Sequence, residues 1–355
     1  MNLNQTVKSP NIPLPIVIIG AGSIVKDAHL PAYKLAGFPV RGIYDKIRSK
    51  AVKLYDEFVF VEKVYNSLSE LIIDASLCNA VYDIALPAKY ITEVLELLPK
   101  GSAVLIQKPM GETIEEAKQI VELCKRKEFV SAVNFQLRYA PYMMAAKDLI
   151  AKGIIGELYD MEVVVCVFTP WHLWDFLFEL PRMEILYHSI HYLDLIRSFL
   201  GNPKKVYASS IKHPKMKRLA QTRSTMILDF DEYLQARVIT NHGHEFGIEK
   251  QQSYLKIEGT KGALKIRIGL SMDYPKGFSD KFEYISLEEE KPKWKEVSLK
   301  GSWFPEAFIG TMAGLQNSFL DPDIPLEHST EDCFQTMKLV EVMYISNKSG
   351  GIKIN

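Results

Sequence analysis

A short apolar strand that runs directly into a glycine turn and a helix is the feature that most constrains this chain. The run "PIVIIG" at 15–20 is rich in β-branched residues, as strands buried on both faces are. It continues into "AGSIVKDAHLPAYKLAG", which suits a turn followed by a helix. A strand, a turn and a helix in this order begin a βαβ unit, which requires a parallel strand beside the first.

The same alternation recurs as far as residue 136. Helix-compatible sequence separates further apolar runs at 38–45, 79–87, 101–109 and 130–136. Within 111–128, acidic residues come early and basic residues late, as the helix dipole prefers, and one face is apolar through Ile114, Ala117, Ile120, Val121 and Cys124. Residues 1–136 are therefore predicted to form an α/β domain with a doubly wound parallel sheet.

Beyond residue 137 the pattern changes. A helix-like segment at 141–156 leads to a strand at 157–168, and long alternating runs follow at 204–212, 223–243, 253–269 and 281–289. Such strands, joined by short polar turns, predict a large, mostly antiparallel open sheet in an α+β domain of residues 137–355. A ligand is expected between the domains, at the carboxyl ends of the parallel strands.

The composition restricts the partners. Lysine plus arginine equals aspartate plus glutamate, at 43 each, so no overall charge draws the chain to nucleic acid or to an anionic membrane. The four cysteines are widely spaced, which argues against a zinc ribbon or a disulfide scaffold. Since no apolar run reaches about eighteen residues either, a cytoplasmic protein that acts on a small molecule is expected.

The glycine turn suggests a nucleotide site. Gly20 allows a tight turn, and Gly22 allows backbone N–H groups at the start of the helix to approach a pyrophosphate. The third position of the dinucleotide fingerprint is Val25 rather than glycine, so the motif by itself is equally typical of a structural turn.

Asp45 strengthens the nucleotide interpretation, because it ends the second strand about twenty residues after the glycines. A carboxylate there accepts hydrogen bonds from both ribose hydroxyls of NAD and repels the 2′-phosphate of NADP. Lys46 and Arg48 argue the other way, since either can pair with that phosphate. NAD is favoured as the cofactor, and NADP stays open.

Read as a whole, the chain resembles a known family, that of glucose-fructose oxidoreductase, inositol dehydrogenase and rhizopine catabolism (Gfo/Idh/MocA). The motifs that carry the resemblance follow in order along nearly the whole chain: "GAGSIVKDAHLPAY", "IALP", "QKPMGETIEEA", "NFQLRYAPYMMAAKDLIAKGIIGEL", "HSIHYLDLIRSFLG", "IEGTKGAL" and "EHSTEDCFQTMKLVEVMYISNKSGGIKI". The resemblance implies an N-terminal Rossmann domain, a C-terminal domain with a large sheet, and NAD(P)-linked oxidation or reduction at a carbinol carbon of sugars, cyclitols and related compounds.

The resemblance also assigns roles to residues at the strand ends. Lys108 falls on the lysine of the family's Glu-Lys-Pro motif, here "QKP", where it would donate hydrogen bonds to the reacting oxygen; a surface lysine is the alternative. Gln107 replaces the family's glutamate, which leaves the proton affinity of the lysine open. The implied cofactor-binding residues are Gly20, Gly22, Ser23, Ile24, Asp45, Pro87, Gln107, Lys108 and Asn134.

The stretch "ILYHSIHYLDL" at 185–195 supplies the remaining candidate chemistry. If residues 184–200 form a helix, one stripe holds Glu184, Tyr187, His188 and His191, and the opposite side is apolar. His191 matches the family's catalytic or substrate-holding histidine and is the candidate general base, because imidazole titrates near neutral pH. Tyr187 replaces the aspartate usual in the family and would hold or relay the proton.

Other interpretations of this stripe remain open. His188 is a candidate for substrate contact. The alternative for both His188 and His191 is a buried histidine that is hydrogen-bonded to backbone carbonyls. Glu184, His188 and His191 form a possible zinc-ligand set, but no metal is expected, because a hydride-transferring enzyme of this kind needs none. The histidines of "TNHGHEF", His242 and His244, are left outside the site, because exposed histidines are common on strands.

An aromatic loop precedes this helix, at 168–182. Trp171 offers a flat apolar face to a sugar ring, while His172 and Arg182 are able to bind hydroxyls or an acidic substituent. A sugar-binding loop and a contact loop between domains or subunits are both consistent with this sequence.

These residues together predict a sugar or cyclitol dehydrogenase. A redox-neutral glycoside hydrolase, which oxidises a sugar transiently with tightly bound NAD, eliminates the aglycone and reduces the ring again, is the alternative enzyme. A ligand-binding regulator is a third possibility, but the retention of Lys108 and His191 argues against it.

The long strands between 205 and 290 predict a sheet surface larger than the few helices of this domain can cover. We therefore expect one face of the sheet to pack against another copy of the chain, in a homodimer or homotetramer.

Overall fold

The computed structural model describes residues 2–352 and 354, which divide into two compact units. The first, called here the parallel-sheet unit, consists of Thr6–Ala140 and Trp303–Met337. The second, called the large-sheet unit, consists of residues 2–5, Pro141–Ser302 and residues 338–352.

Helices and strands alternate over the first part of the chain, and strands dominate the second. The helices are α1 (Leu30–Ala36), α2 (Arg48–Glu57), α3 (Leu68–Leu77), α4 (Ile91–Leu97), α5 (Ile114–Arg126), α6 (Pro141–Ala151), α7 (Ile190–Leu200), α8 (Glu306–Leu320) and α9 (Thr330–Ser349). The strands are β1 (Ile16–Ile19), β2 (Val40–Tyr44), β3 (Val81–Ile84), β4 (Ala103–Ile106), β5 (Val130–Val133), β6 (Leu158–Cys166), β7 (Lys205–Ile211), β8 (Arg223–Asp229), β9 (Gln235–Asn241), β10 (Gln252–Gly259), β11 (Gly262–Arg267), β12 (Lys281–Ser286) and β13 (Lys295–Val297). Single π-helical turns occupy Val25–His29 and Glu184–Ser189, and 3₁₀ turns occupy Ala88–Tyr90, Gln136–Tyr139, Trp171–Leu173, Asp175–Glu179, Ile248–Lys250 and Gly269–Ser271.

The parallel-sheet unit confirms the predicted alternation of strands and helices. In the described part of the chain, its sheet has five parallel strands in the order β2-β1-β3-β4-β5. Every residue of β1, β3 and β4 is buried, as expected for apolar strands covered on both faces. Because the strands are parallel, their carboxyl ends lie along one edge of the sheet, and the loops that follow them carry the predicted cofactor residues.

Helix α5 shows how the local sequence sets an element's start and its orientation. The Thr113 hydroxyl accepts a hydrogen bond from the Glu116 amide at 3.2 Å, and such a cap stabilises a helix by about 1 kcal/mol. The Glu116 carboxylate in turn accepts one from the Glu112 amide at 2.7 Å. The predicted apolar face is buried through Ala117, Ile120, Val121 and Cys124.

The division of the chain differs from the boundary expected at residue 136. Residues Trp303–Met337, which the sequence pattern placed in the second domain, lie in the parallel-sheet unit. In α8, Phe308, Met312 and Leu315 join the same hydrophobic core as β1. The packing of this late segment in the first unit depends on contacts between residues far apart in the sequence. The periodicity of apolar residues within one segment does not predict such contacts.

The large-sheet unit confirms the predicted, mostly antiparallel sheet. Over residues 2–352, it has eight strands in the order β13-β12-β11-β10-β6-β9-β8-β7, and only the neighbouring strands β6 and β9 are parallel. Side chains alternate along the strands: in β9, Ala236, Val238 and Thr240 are buried, while Ile239 is 38% exposed. Within the described residues, no helix combines the length and the apolar character that crossing a bilayer requires.

The outer face of this sheet generates the first prediction. Tyr207, Ile211 and Ile239 are 54%, 51% and 38% exposed in the single chain, and the register places Ile239 opposite Thr225 of β8 and Val164 of β6. We expect this face to bury against another copy of the chain, because apolar sheet surface favours association. Light scattering should then give a multiple of 40.4 kDa, and Ile239→Arg should shift the mass towards that of one chain.

Ile73→Arg is the matched control, because Ile73 is 63% exposed on α3 in the other unit. It should leave the mass unchanged. A wild-type protein that stays monomeric at micromolar concentration would refute the prediction.

Candidate functional site

The glycine turn after β1 has the backbone that the sequence predicted. Gly20 has φ +111°, and a Cβ there would collide with the backbone carbonyl of Ala85. Beside Gly22, by contrast, no heavy atom of the described residues outside the adjoining backbone lies within 4 Å of the position a Cβ would take. Gly20 is therefore required by the fold, whereas Gly22 leaves open space beside the backbone.

A helix begins immediately after this turn. The Val25 and Lys26 amides both donate to the Gly22 carbonyl, at 3.1 and 3.3 Å, and the helix continues through the π-helical turn into α1. Ser23 is exposed and Ile24 half-buried. The first amides of a helix have no acceptor within it, so this open turn is suited to an anion such as a pyrophosphate.

Asp45 lies next to the same turn. One carboxylate oxygen accepts a hydrogen bond from the Ala21 amide at 2.8 Å, and the other accepts one from the Ile47 amide at 2.7 Å. Lys46 is exposed, and the Arg48 guanidinium donates to Asn66 at 3.1 Å. The carboxylate is thus oriented by backbone donors beside the nucleotide turn.

Lys108 and Gln107 follow directly after β4. The Gln107 side-chain oxygen accepts a hydrogen bond from the Lys108 backbone amide at 3.0 Å. Lys108 is half-buried, and desolvation by the surrounding protein lowers the pKa of its ammonium to about 8. At pH 8 this side chain is therefore partly neutral, whereas an ordinary surface lysine is almost fully protonated. Pro87, which follows β3, is exposed.

Asn134, the predicted cofactor residue after β5, is fully buried. Its amide group donates to His29 Nε2 at 3.2 Å, and its oxygen accepts from the Thr311 hydroxyl at 2.9 Å. His29 Nδ1 donates to Asp83 at 2.7 Å, and the Tyr33 hydroxyl donates to the same carboxylate oxygen at 2.7 Å. These bonds tie the ends of β3 and β5 to the helices; a cofactor contact of Asn134 stays a prediction.

The segment 184–200 is helical, as predicted, but its first turn is wider than an α-helical turn. Glu184–Ser189 is a π-helical turn, and α7 follows. The Ser189 hydroxyl donates to the Glu184 carboxylate, five residues earlier, at 2.6 Å. The predicted polar stripe is consequently not a uniform surface: Glu184 and His191 are buried, and Tyr187 and His188 are half-buried.

The Glu184 carboxylate is the centre of a buried polar network. His242 Nε2 lies 3.2 Å from one carboxylate oxygen, the Ser224 hydroxyl donates to the other, and His242 Nδ1 lies 2.8 Å from the Thr169 hydroxyl. Burial raises the pKa of Glu184, but the bonds and charge of His242 and the two serine hydroxyls outweigh burial, so its pKa is lowered. Removing one partner of such a buried pair lowers the free energy of unfolding by about 3–5 kcal/mol.

Aromatic rings enclose this network. The His188 ring lies 4.2 Å from the His242 ring and 5.6 Å from the Tyr192 ring, centroid to centroid. The Trp171 ring lies 5.0 Å from His242 and 6.2 Å from His188. The structure therefore brings together two predicted substrate residues, His188 and Trp171, with the buried Glu184 and His242.

The expectation that His242 is an exposed strand histidine was wrong. It is fully buried rather than exposed, and it bonds to Glu184. A signal was present in the sequence: Ala236, Val238 and Thr240 are the inward residues of β9, and two-residue alternation continues to His242.

The contacts given for the predicted residues His172, Arg182 and Tyr187 do not involve Glu184 or His242. His172 is exposed. Arg182 donates to Glu341 at 2.7 Å, and its guanidinium lies 4.0 Å from the centre of the Tyr344 ring, so it anchors the aromatic loop to α9. The Tyr187 ring lies 5.7 Å from that of Phe176.

Two family models match the chain. One, described as an oxidoreductase family with an NAD-binding Rossmann fold, matches residues 14–135, and the other, the GFO/IDH/MocA C-terminal domain, matches residues 143–265. The chain belongs to the Gfo/Idh/MocA family of oxidoreductases. The resemblance inferred from its motifs is thereby confirmed.

Curated relatives of this Gfo/Idh/MocA protein include two sugar enzymes. It is 28% identical to 1,5-anhydro-D-fructose reductase from Ensifer adhaerens over 55% of this chain and 59% of that one. It is 24% identical to D-apiose dehydrogenase from Rhizobium rhizogenes over 72% of this chain and 74% of that one. A solved oxidoreductase from Agrobacterium radiobacter, in complex with NAD+, L-tartaric acid and magnesium, has the same fold, with a TM-score of 0.79, 22% identity and coverage of 96% of this chain and 98% of that one.

The parallel-sheet unit is an NAD-binding Rossmann domain, and its residues fit that cofactor. The open side of Gly22 leaves room for phosphate oxygens beside the first amides of the helix. The Asp45 carboxylate, oriented by the Ala21 and Ile47 amides, lies beside the same turn and is a suitable acceptor for ribose hydroxyls.

The lowered pKa of Lys108 generates the second prediction. Between pH 8 and 10.5, the folded protein binds fewer protons at this lysine than the unfolded chain does, so its contribution to the free energy of unfolding rises with pH across that window. We expect urea titrations of wild type and Lys108→Met to show wild type gaining stability relative to the variant as the pH rises from 8 to 10.5.

Lys108→Gln is the matched variant, because it also lacks the titrating group but keeps a polar side chain. It should give the same pH dependence as Lys108→Met. Parallel stability curves for all three proteins across the window would show that Lys108 keeps its ordinary pKa.

Proposed function

We propose that this oxidoreductase transfers hydride between nicotinamide and a secondary hydroxyl or ketone of a carbohydrate, which is a sugar, a glycoside or a cyclitol. The observation that carries the proposal is Lys108, which lies two residues after strand β4 of the NAD-binding domain and has a pKa lowered to about 8 by burial. The two named sugar enzymes among the relatives support the substrate class.

NAD, when bound, supplies the hydride acceptor for oxidation or, as NADH, the hydride donor for reduction. Lys108 donates a hydrogen bond to the reacting oxygen and stabilises the negative charge that develops on it. A pKa near the working pH suits this role, because the ammonium is present at neutral pH and can still release its proton.

His191 is the proposed general base, in keeping with its family position. It is buried on α7, one turn after His188 and Tyr187. Tyr187 is proposed to hold or relay the proton through its phenol. His188 and Trp171 are proposed to contact the substrate, and His172 is an exposed candidate on the same loop.

Activity on a panel of carbohydrates is the third prediction. Free sugars, glycosides, sugar acids and cyclitols are screened for NADH formation, and we expect at least one class to react. Lys108→Met should lower kcat on that substrate about a hundredfold or more, as for loss of one oxyanion donor, while NADH binding is retained. Lys118→Met, on the exposed face of α5, is the control and should keep wild-type kcat.

Three outcomes would contradict parts of the proposal. A near-normal kcat for Lys108→Met would remove the role of the lysine. Cleavage of glycosides with catalytic NAD and without net NADH would assign the redox-neutral hydrolase reaction. Binding of carbohydrates without any hydride exchange would assign a ligand-binding protein.

A preference for NAD over NADP is the fourth prediction. Asp45 is oriented by two backbone amides, and its charge repels a 2′-phosphate. The purified protein should bind NADH more tightly than NADPH, as measured by fluorescence titration, and Asp45→Ala should narrow the difference.

Asp56→Ala is the control, because Asp56 is exposed on α2 outside the nucleotide turn. It should leave the preference unchanged. Tighter NADPH binding by wild type would overturn the assignment and indicate Lys46 or Arg48 as a phosphate partner.

A further inference from the structure

The large-sheet unit contains a cluster of ionisable side chains, of which the proposed function uses only His188. Glu184 and His188 come from the π-helical turn, and His242 comes from the end of β9. Each offers one ligand atom, and these atoms all lie within 4.8 Å of one another. We propose that Glu184, His188 and His242 bind a divalent metal ion of the zinc class.

The separation of two ligand atoms suits such an ion. His242 Nε2 lies 3.2 Å from the nearer Glu184 oxygen. Zinc binds histidine nitrogen at about 2.0–2.1 Å and carboxylate oxygen at about 2.0–2.2 Å, so a tetrahedral angle places two ligand atoms about 3.4 Å apart. A metal ion therefore fits between these two atoms with little movement of either side chain.

The outer hydrogen bonds are those that hold metal ligands in place. His242 Nδ1 lies 2.8 Å from the Thr169 hydroxyl, which leaves Nε2 as the nitrogen that faces Glu184. The Ser189 and Ser224 hydroxyls both donate to the Glu184 carboxylate. Partners of this kind fix the ring orientation of a ligating histidine and the position of a ligating carboxylate.

The three proposed ligands differ in how deeply they are buried. Glu184 and His242 are fully buried, and the Trp171 ring covers the two histidines at 5.0 and 6.2 Å. His188 is half-buried, so it is the least buried of the three proposed ligands. Three protein ligands leave a tetrahedral ion one further position, which a water molecule or a substrate oxygen can occupy.

The donor set decides the class of metal. Two imidazoles and one carboxylate favour zinc and neighbouring transition metals, whereas magnesium and calcium prefer oxygen ligands alone. The donor types are the same as in the zinc-ligand set that the helical stripe suggested, but His242 takes the place of His191.

A buried ion pair of Glu184 with His242 is the competing explanation. Such a pair needs no third ligand. The metal site does require His188, and replacing this residue therefore distinguishes the two explanations. Because His188 is half-buried, its replacement is also compatible with a folded protein, whereas Glu184→Gln disturbs the buried network.

The test measures metal binding without NAD or substrate, so its outcome does not depend on the proposed function. The full-length protein is stripped with a chelator and titrated with Co²⁺, whose visible absorption reports tetrahedral nitrogen and oxygen ligands, and zinc content is measured after reconstitution. We expect one metal ion per chain. Thr169→Val should weaken binding about 10- to 100-fold, and His188→Ala should weaken it further.

His172→Ala is the matched control, because His172 is an exposed histidine of the same unit that lies outside the cluster. It should bind Co²⁺ as wild type does. Absence of a tetrahedral Co²⁺ spectrum in wild type, or equal affinity of wild type and His188→Ala, would overturn the proposal and leave a hydrogen-bonded Glu184–His242 pair.

Discussion

The parallel pairing of β1 with both of its neighbours is the constraint on which the nucleotide-binding half depends. Because β1 lies between β2 and β3 in the same direction, the loops after these strands leave the same edge of the sheet. Gly20 must then pass the carbonyl of Ala85 so closely that no side chain is tolerated. The same geometry places Asp45 next to Ala21, where its carboxylate is within hydrogen-bond reach of the turn.

The large-sheet unit depends on a different interaction, the burial of the Glu184 charge. A carboxylate without exposed surface requires donors from several directions, and these come from Ser189 on its own helix, from Ser224 on β8 and from His242 after β9. The wide π-helical turn brings Ser189 to the carboxylate. One charge thereby links a helix to two strands of the sheet beneath it.

Much of the fold was predictable because its signals are local. The apolar runs contain β1 to β5. The apolar spacing of α5 matched its buried face, and two-residue alternation matched the long strands of the second unit. Lys108 was found by its place after a strand and by the family motif. Its lowered pKa was not predictable, because it follows from the protein atoms that surround the ammonium. The return of Trp303–Met337 to the parallel-sheet unit was missed for a related reason, since it rests on contacts between residues far apart in sequence.

The sequence by itself determined the types of element, the glycine turn and the family to which the chain belongs. These depend on residues that are close together along the chain or on motifs in a fixed order. The tertiary structure alone decided which ionisable groups meet. Helical spacing grouped Glu184 and His188 with His191, yet the folded chain brings them to His242, from a strand more than fifty residues later. The sequence pattern records which face of an element is apolar, whereas the partner of a buried charge is selected by the packing of separate elements against each other.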